Sequence, residues 1–264
     1  MMQTAKVQRR TAGRAKVEIY PNRRLLGLAA AEAAASAIRE AAREADTVGV
    51  IFATGASQLE TLRALAAVQG IPWEKVIGFH MDEYVGLSTE HPASFRRYLR
   101  QRLTSLVKMR EFHEVDGTAA DVAEVCRQYA EALRTASPRV CLLGIGENGH
   151  LAFNDPGVAD FNDPEDVKIV RLDDACRQQQ TAEGWFSSAA EVPEEAITIT
   201  IPALLRVPRL IVSVPGPRKA GIVRRAIEEP ISAACPATIL RNHANTTIYL
   251  DGESAAQLPA ADTQ

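Results

Sequence analysis

With 264 residues, 46% of them hydrophobic, the chain is long enough to bury the core of one α/β domain and does not require a second. The formal charge of −3 comes from 30 Lys and Arg mixed with 33 Asp and Glu, which argues against nucleic-acid or anionic-membrane partners. Four cysteines, Cys126, Cys141, Cys176 and Cys235, stand far apart with no C-x-x-C, so they read as reduced thiols of a cytoplasmic protein rather than a disulfide frame.

In chain order, residues 1–16 carry several Lys and Arg, no acid and no apolar core. This stretch lacks the apolar region of a secretory signal and only weakly resembles a transit peptide; a disordered basic tail is expected, with the domain over 17–252. Leu25 to Ala45 is Ala-rich, with Glu32, Arg39, Glu40, Arg43 and Glu44 at helical intervals, which predicts an amphipathic helix and not a membrane span. Val48 to Ala53 predicts a buried strand that runs into Thr54-Gly55-Ala56-Ser57 and then into an amphipathic stretch from Gln58 to Val68. Strand, small-residue turn and helix is a layout that aims backbone N–H groups and a helix dipole at an anion, although it is neither a Walker loop nor a G-x-G-x-x-G.

Val76 to Met81 predicts a second buried strand, followed at once by Asp82-Glu83-Tyr84-Val85-Gly86-Leu87. Paired carboxylates at a strand end cost free energy unless partnered, so they are either a cap or chemistry. Helical stretches follow over Ala93 to Val107 and Val122 to Thr135. Next, Cys141 opens an apolar run that turns at Gly144, Gly146 and Gly149 and delivers Asn148, His150, Asn154 and Asp155. Ligand crevices of open α/β sheets lie outside the carboxyl ends of the strands, where this histidine falls. Phe153-Asn154-Asp155-Pro156 recurs as Phe161-Asn162-Asp163-Pro164, which coincidence within a loop can explain. Ile197 to Ile201, Arg209 to Val214 and Thr246 to Leu250 are β-branched runs, and Arg218 to Glu228 is helical; from Glu253 a fraying tail over 253–264 is expected. The alternation predicts a single Rossmann-like α/β domain, a mostly parallel sheet with helices on both faces.

The strings Thr54-Gly55-Ala56-Ser57, Met81 to Leu87 with His91-Pro92-Ala93-Ser94-Phe95, and Gly144 to Asn154 occur in one order that resembles the glucosamine-6-phosphate deaminase (isomerase) family. Weaker similarity continues around Asp174 to Gln178, Thr198 to Pro202 and Gly216 to Ala220. The resemblance implies isomerising deamination of an amino-sugar phosphate, with Asp82 as base at C2 and His150 carrying the ring-opening proton, oriented by Asn148 and Asp155. It further implies phosphate or substrate contacts from Thr54, Gly55, Ala56, Ser57, Glu83, Gly149, Arg177 and Lys219, with Glu83 the nearby alternative to Asp82 and otherwise structural or orienting. No metal or cofactor is implied: the H-x-E…P-C-x-x-C pattern of zinc deaminases and H-E-x-x-H are both missing. A small sugar phosphate is the expected partner, with a homo-oligomer possible.

Two departures stand out: Asn148 where many members carry an acid, and Asp155 where the family has glutamate. One methylene less displaces a carboxylate by about 1 Å, which can cost on the order of 10²-fold in rate. Residues Val158 to Val170 also lack the Ser/Thr/Arg-rich character that follows the motif in members with allosteric activation. Two other readings remain open. A 6-phosphogluconolactonase-like hydrolase would carry arginine after the acidic pair, where this chain has Tyr84. A sugar-phosphate sensor would bind without releasing ammonia.

Overall fold

The computed structural model describes residues 7–182 and 184–259. β1 (Gln8–Ala12) and β2 (Ala15–Tyr20) form an antiparallel hairpin, so the expectation of a disordered tail over 1–16 is corrected for residues 8–16; residues 1–6 lie outside the described ones. β2 pairs in parallel with β11 (Thr246–Asp251) from the far end of the chain, and Ala12, Ala15 and Val17 are buried there. Local composition carries no trace of such a distant partner. Beyond β11, Ser254 is fully buried and its N–H donates to Asp251 Oδ1 at 2.8 Å. Residues 253–259 therefore form turns secured to the sheet rather than a fraying tail, and 260–264 lie outside the described residues.

The remaining elements are α1 (Arg23–Glu44), β3 (Val48–Phe52), α2 (Leu59–Ala67), β4 (Val76–His80), β5 (Asp82–Tyr84), α3 (Phe95–Leu99), β6 (Glu111–His113), α4 (Val122–Ala136), β7 (Val140–Leu143), β8 (Val167–Arg171), α5 (Asp174–Ala182), β9 (Glu195–Ile199), α6 (Ile201–Leu205), β10 (Arg209–Val214) and α7 (Ala220–Glu228). Their boundaries follow local chemistry. Asn22 caps α1 by accepting the Leu25 N–H at 3.0 Å, and Asp121 caps α4 by accepting from Glu124 at 2.9 Å. The helix predicted over Ala93 to Val107 is α-helical only as α3, after which the chain widens into a π-turn over Arg100–Thr104.

Eight strands form the main sheet in the order β1-β2-β11-β10-β7-β3-β4-β6, all parallel except the hairpin partner β1. Side chains alternate across it: Val50 and Phe52 of β3 pack with α1 and α2, while Ile51 faces the layer holding α4. Both faces are covered, so the strands read as continuous apolar runs. α1 buries Leu26, Ile38 and a row of alanines, whose small side chains let the helix lie close to the sheet. Among the described residues, no helix is long and apolar enough to cross a membrane.

One predicted run lands elsewhere. β9 belongs to a second, antiparallel sheet, β5-β9-β8, and not to the parallel one. The two sheets are joined at Met81, whose N–H donates to Phe52 O at 3.2 Å and whose carbonyl accepts from Ile199 N at 3.0 Å. A cluster of Tyr84, Phe95, Phe153 and Phe186 fills the space behind the small sheet. Each such ring, fully buried, contributes about 1.5–3 kcal/mol.

Candidate active site

From β3 the sheet grows one way through β4 and β6 and the other way through β7 and β10, so the strand order reverses between β3 and β7. A crevice opens at the carboxyl ends of a parallel sheet at such a point. Here it is an open cavity lined by the Thr54–Ser57 turn after β3, Met81 and Asp82 after β4, Gly144 to Gly146 and His150 after β7, Gln179 and Gln180 from α5, and Lys219 before α7.

Gly55 has φ +84° and opens the short turn that leads into α2; its carbonyl accepts the Tyr98 hydroxyl at 2.8 Å. Positive φ is strained for any other residue type. Gly146 is required by close approach, because a Cβ there would sit 2.2 Å from the His150 ring. Ala152, also on the cavity wall, holds φ +53°, a left-handed conformation that costs about 1–2 kcal/mol in a non-glycine residue.

His150 Nδ1 lies 2.9 Å from Asp155 Oδ1. The same oxygen accepts Asn148 Nδ2 at 2.9 Å, and Asn148 Oδ1 accepts the His150 N–H at 3.0 Å. Asn148 thus ties the other two together, with His150 Nδ1 facing the Asp155 carboxylate and Nε2 as the ring nitrogen that does not. Burial pushes the Asp155 carboxyl up, but the His150 and Asn148 donors outweigh it and hold the group below the ordinary carboxylate range. Despite its shorter side chain, Asp155 reaches the histidine and is only 1% exposed.

Asp82 and Glu83 point to opposite faces of β5, as neighbours in a strand must. Asp82 faces the cavity; burial pushes its carboxyl well above the ordinary range, and the adjacent Glu83 charge adds to the shift. Glu83 does not line the cavity. Its carboxylate accepts from the N–H groups of Tyr84, Phe95 and Arg96 and from Ser94 Oγ, all at 2.9–3.2 Å, and lies 3.5 Å from Arg96 Nε. It is the buried anchor of the α3 N-terminus, which corrects its assignment to substrate binding. His80 is likewise structural: its Nε2 accepts the Val115 N–H at 2.6 Å, and burial, helped by Arg96 and Arg100, lowers its pKa to about 3.

Of the residues expected at the site, Thr54, Gly55, Ala56, Ser57, Asp82, His150 and Lys219 line one cavity, and Asn148 and Asp155 stand directly behind the histidine. Gly149 does not line it; a Cβ there would lie 2.9 Å from Cys235 Sγ, so close packing accounts for that glycine. Arg177 is turned away, its Nη2 donating to Ala189 O at 2.7 Å. The inward face of α5 is instead Cys176, Gln179 and Gln180, at i, i+3 and i+4. Gln179 Oε1 accepts the Glu147 N–H at 2.9 Å. The two glutamines were not anticipated, although that spacing was the signal that could have found them.

A buried carboxyl pushed up by burial, a histidine beside a carboxylate and a buried lysine around one crevice are the parts an acid–base active site of an α/β enzyme is built from. Residues 21–249 match the family model described as glucosamine-6-phosphate isomerases/6-phosphogluconolactonase, and the chain belongs to that family as one of its enzymes. It is 33% identical over 234 residues to a glucosamine-6-phosphate deaminase of Pseudarthrobacter chlorophenolicus, covering 87% of this chain and 88% of the relative. A second such deaminase, from Exiguobacterium sibiricum, is 33% identical over 222 residues, 83% and 85% of the two chains. Among solved structures, a monomeric glucosamine-6-phosphate deaminase superimposes with a TM-score of 0.82 at 28% identity, covering 91% of this chain and 99% of that one. A 6-phosphogluconolactonase from Thermotoga maritima gives 0.73 at 20% identity, 89% and 98% covered, and shares the fold.

Proposed function

We propose that the protein converts glucosamine 6-phosphate and water into fructose 6-phosphate and ammonia by general acid–base catalysis. The observation that carries this is the convergence of Asp82 and the His150–Asp155 pair on one cavity that also holds Lys219. His150 Nε2 takes the proton of the C1 hydroxyl and returns a proton to the ring oxygen, which opens the pyranose. Asp82 then removes the C2 proton while O1 gains a proton and the amino nitrogen gives one up, which forms an enolamine; Asp82 returns its proton to C1 and leaves an imine at C2. Water adds to C2, and the nitrogen leaves as ammonia. A carboxylate whose pKa is raised by burial is a stronger base toward carbon than a solvated one. Positioned acids and bases of this kind typically supply about 10²–10⁴-fold each.

The substrate phosphate is held between Lys219 and the N–H groups of the Thr54–Ser57 turn at the start of α2. Arg177 and Glu83 do not line that cavity. Tyr84, which follows the acidic pair, is fully buried among aromatic rings and places no cation at the cavity, which favours deamination over lactone hydrolysis. The test is release of ammonia and fructose 6-phosphate by the wild type and by Asp82→Asn. Turnover that disappears in the variant bears out the proposal; tight binding of glucosamine 6-phosphate without turnover would replace it with a sensor, and neither would indicate a different sugar phosphate.

A further inference from the structure

Behind the cavity, Cys176 on the inward face of α5 completes a compact set with His150 and Asp155. One donor atom from each lies within 4.8 Å of the other two. Cys176 and Asp155 are each 1% exposed, and Asp155 Oδ2 has no hydrogen-bond partner. The Asp173 N–H and the Cys176 thiol are its neighbouring donors, and neither makes a full hydrogen bond to Oδ2, which leaves that oxygen able to take a ligand. Two further atoms converge on it: the His150 Nδ1, 2.9 Å from the other carboxylate oxygen, and the Cys176 thiol.

We propose that Cys176, His150 and Asp155 form an inhibitory site for a thiophilic divalent cation of the zinc class. Sulfur, imidazole nitrogen and carboxylate oxygen are the donors that zinc takes, at about 2.3, 2.0–2.1 and 2.0–2.2 Å, which spaces tetrahedral ligands roughly 3.3–3.6 Å apart. Separations between 2.9 and 4.8 Å bracket that range, so changes of about 1 Å in the separations close the site. The fourth position is left to water. Because His150 lines the cavity, its ring edge is the route of entry. Hard cations such as magnesium, which require oxygen ligands, do not fit this donor set.

The proton balance explains the inhibition. Cys176 releases its thiol proton to solvent on forming the metal–sulfur bond. His150 Nδ1 gives its lone pair to the metal, and the ring proton moves to Nε2. The nitrogen facing the cavity then has no lone pair and cannot accept the sugar hydroxyl proton. This loss of activity rests on the proposed deamination; the binding itself does not.

The experiment titrates the metal-free protein with Co²⁺ and Zn²⁺ and follows both the thiolate-to-cobalt absorption and the activity. Binding of one equivalent, a thiolate band, and inhibition that EDTA reverses and Mg²⁺ fails to produce are expected. Cys176→Ala should abolish the band and weaken zinc affinity at least about tenfold, whereas Cys126→Ala should do neither. A cobalt complex without a thiolate band, or zinc affinity the same in Cys176→Ala as in the wild type, would overturn the site. If the metal-free wild type fails to release ammonia while the cobalt band appears, the proposed reaction fails and the metal site stands.

Discussion

Replacing Asp155 separates the two things its carboxylate does for His150. Oδ1 faces both His150 Nδ1 and Asn148 Nδ2 at 2.9 Å, while Oδ2 has no hydrogen-bond partner. In Asp155→Asn the amide oxygen can occupy the Oδ1 position and keep facing both donors, with the amide nitrogen in place of Oδ2. Orientation and tautomer survive; the charge that stabilises the protonated ring does not. A hydrogen bond to a charged group is worth about 1.5–3 kcal/mol against about 0.5–1.5 for a neutral one, so roughly 1–2 kcal/mol is lost. That corresponds to a fall in kcat of about 5–30-fold. Asp155→Ala removes orientation as well and should cost about 10²–10⁴-fold, the full value of a positioned acid–base group. The assay is initial-rate release of fructose 6-phosphate, with thermal unfolding to show that both variants are folded. An Asp155→Asn enzyme as inactive as Asp155→Ala, or Asp155→Ala within about threefold of wild type, would refute the reasoning.

Asp82→Asn should be more stable than wild type at neutral pH. The folded-state pKa of Asp82 is raised above the unfolded value, so its stabilising contribution is complete below about pH 4 and is lost as pH rises. The advantage of the variant should therefore vanish near pH 4 and grow with pH in urea melts; a difference independent of pH would contradict the assigned burial. Glu83→Ala leaves the buried N–H groups of Tyr84, Phe95 and Arg96 without their acceptor, while Arg96 keeps its pair with Asp116, and should cost about 1–3 kcal/mol or more in urea unfolding. Glu83→Gln should retain turnover, and its loss with folding intact would return Glu83 to the chemistry. Lys219→Ala should raise KM for the sugar phosphate by roughly 10–150-fold, the equivalent of one charge-assisted hydrogen bond, with kcat little changed. A KM within about threefold of wild type would place the phosphate elsewhere.

Much of this protein is legible in its sequence because the relevant physics is local. The apolar runs of β3, β4 and β7 end in small or polar residues, so their carboxyl ends and the residues they deliver are fixed by hydrophobic periodicity and turn chemistry. Asp82, His150 and the Thr54–Ser57 turn are found this way, while Lys219 comes from the family resemblance, which also assigns the expected roles. Tertiary structure decided what depends on direction or on distant partners. Asp82 and Glu83 are equivalent on paper, yet strand pleating sends one into the cavity and the other beneath α3. Helix phase turns Gln179 and Gln180 inward and leaves Arg177 against the 189–191 turn. β9 pairs with β5 and β8 because Met81 joins the two sheets, and the basic N-terminal stretch becomes sheet because β11 lies beside it. Composition sets what a segment can bury; which surface it meets is set by pairings across more than two hundred residues of chain.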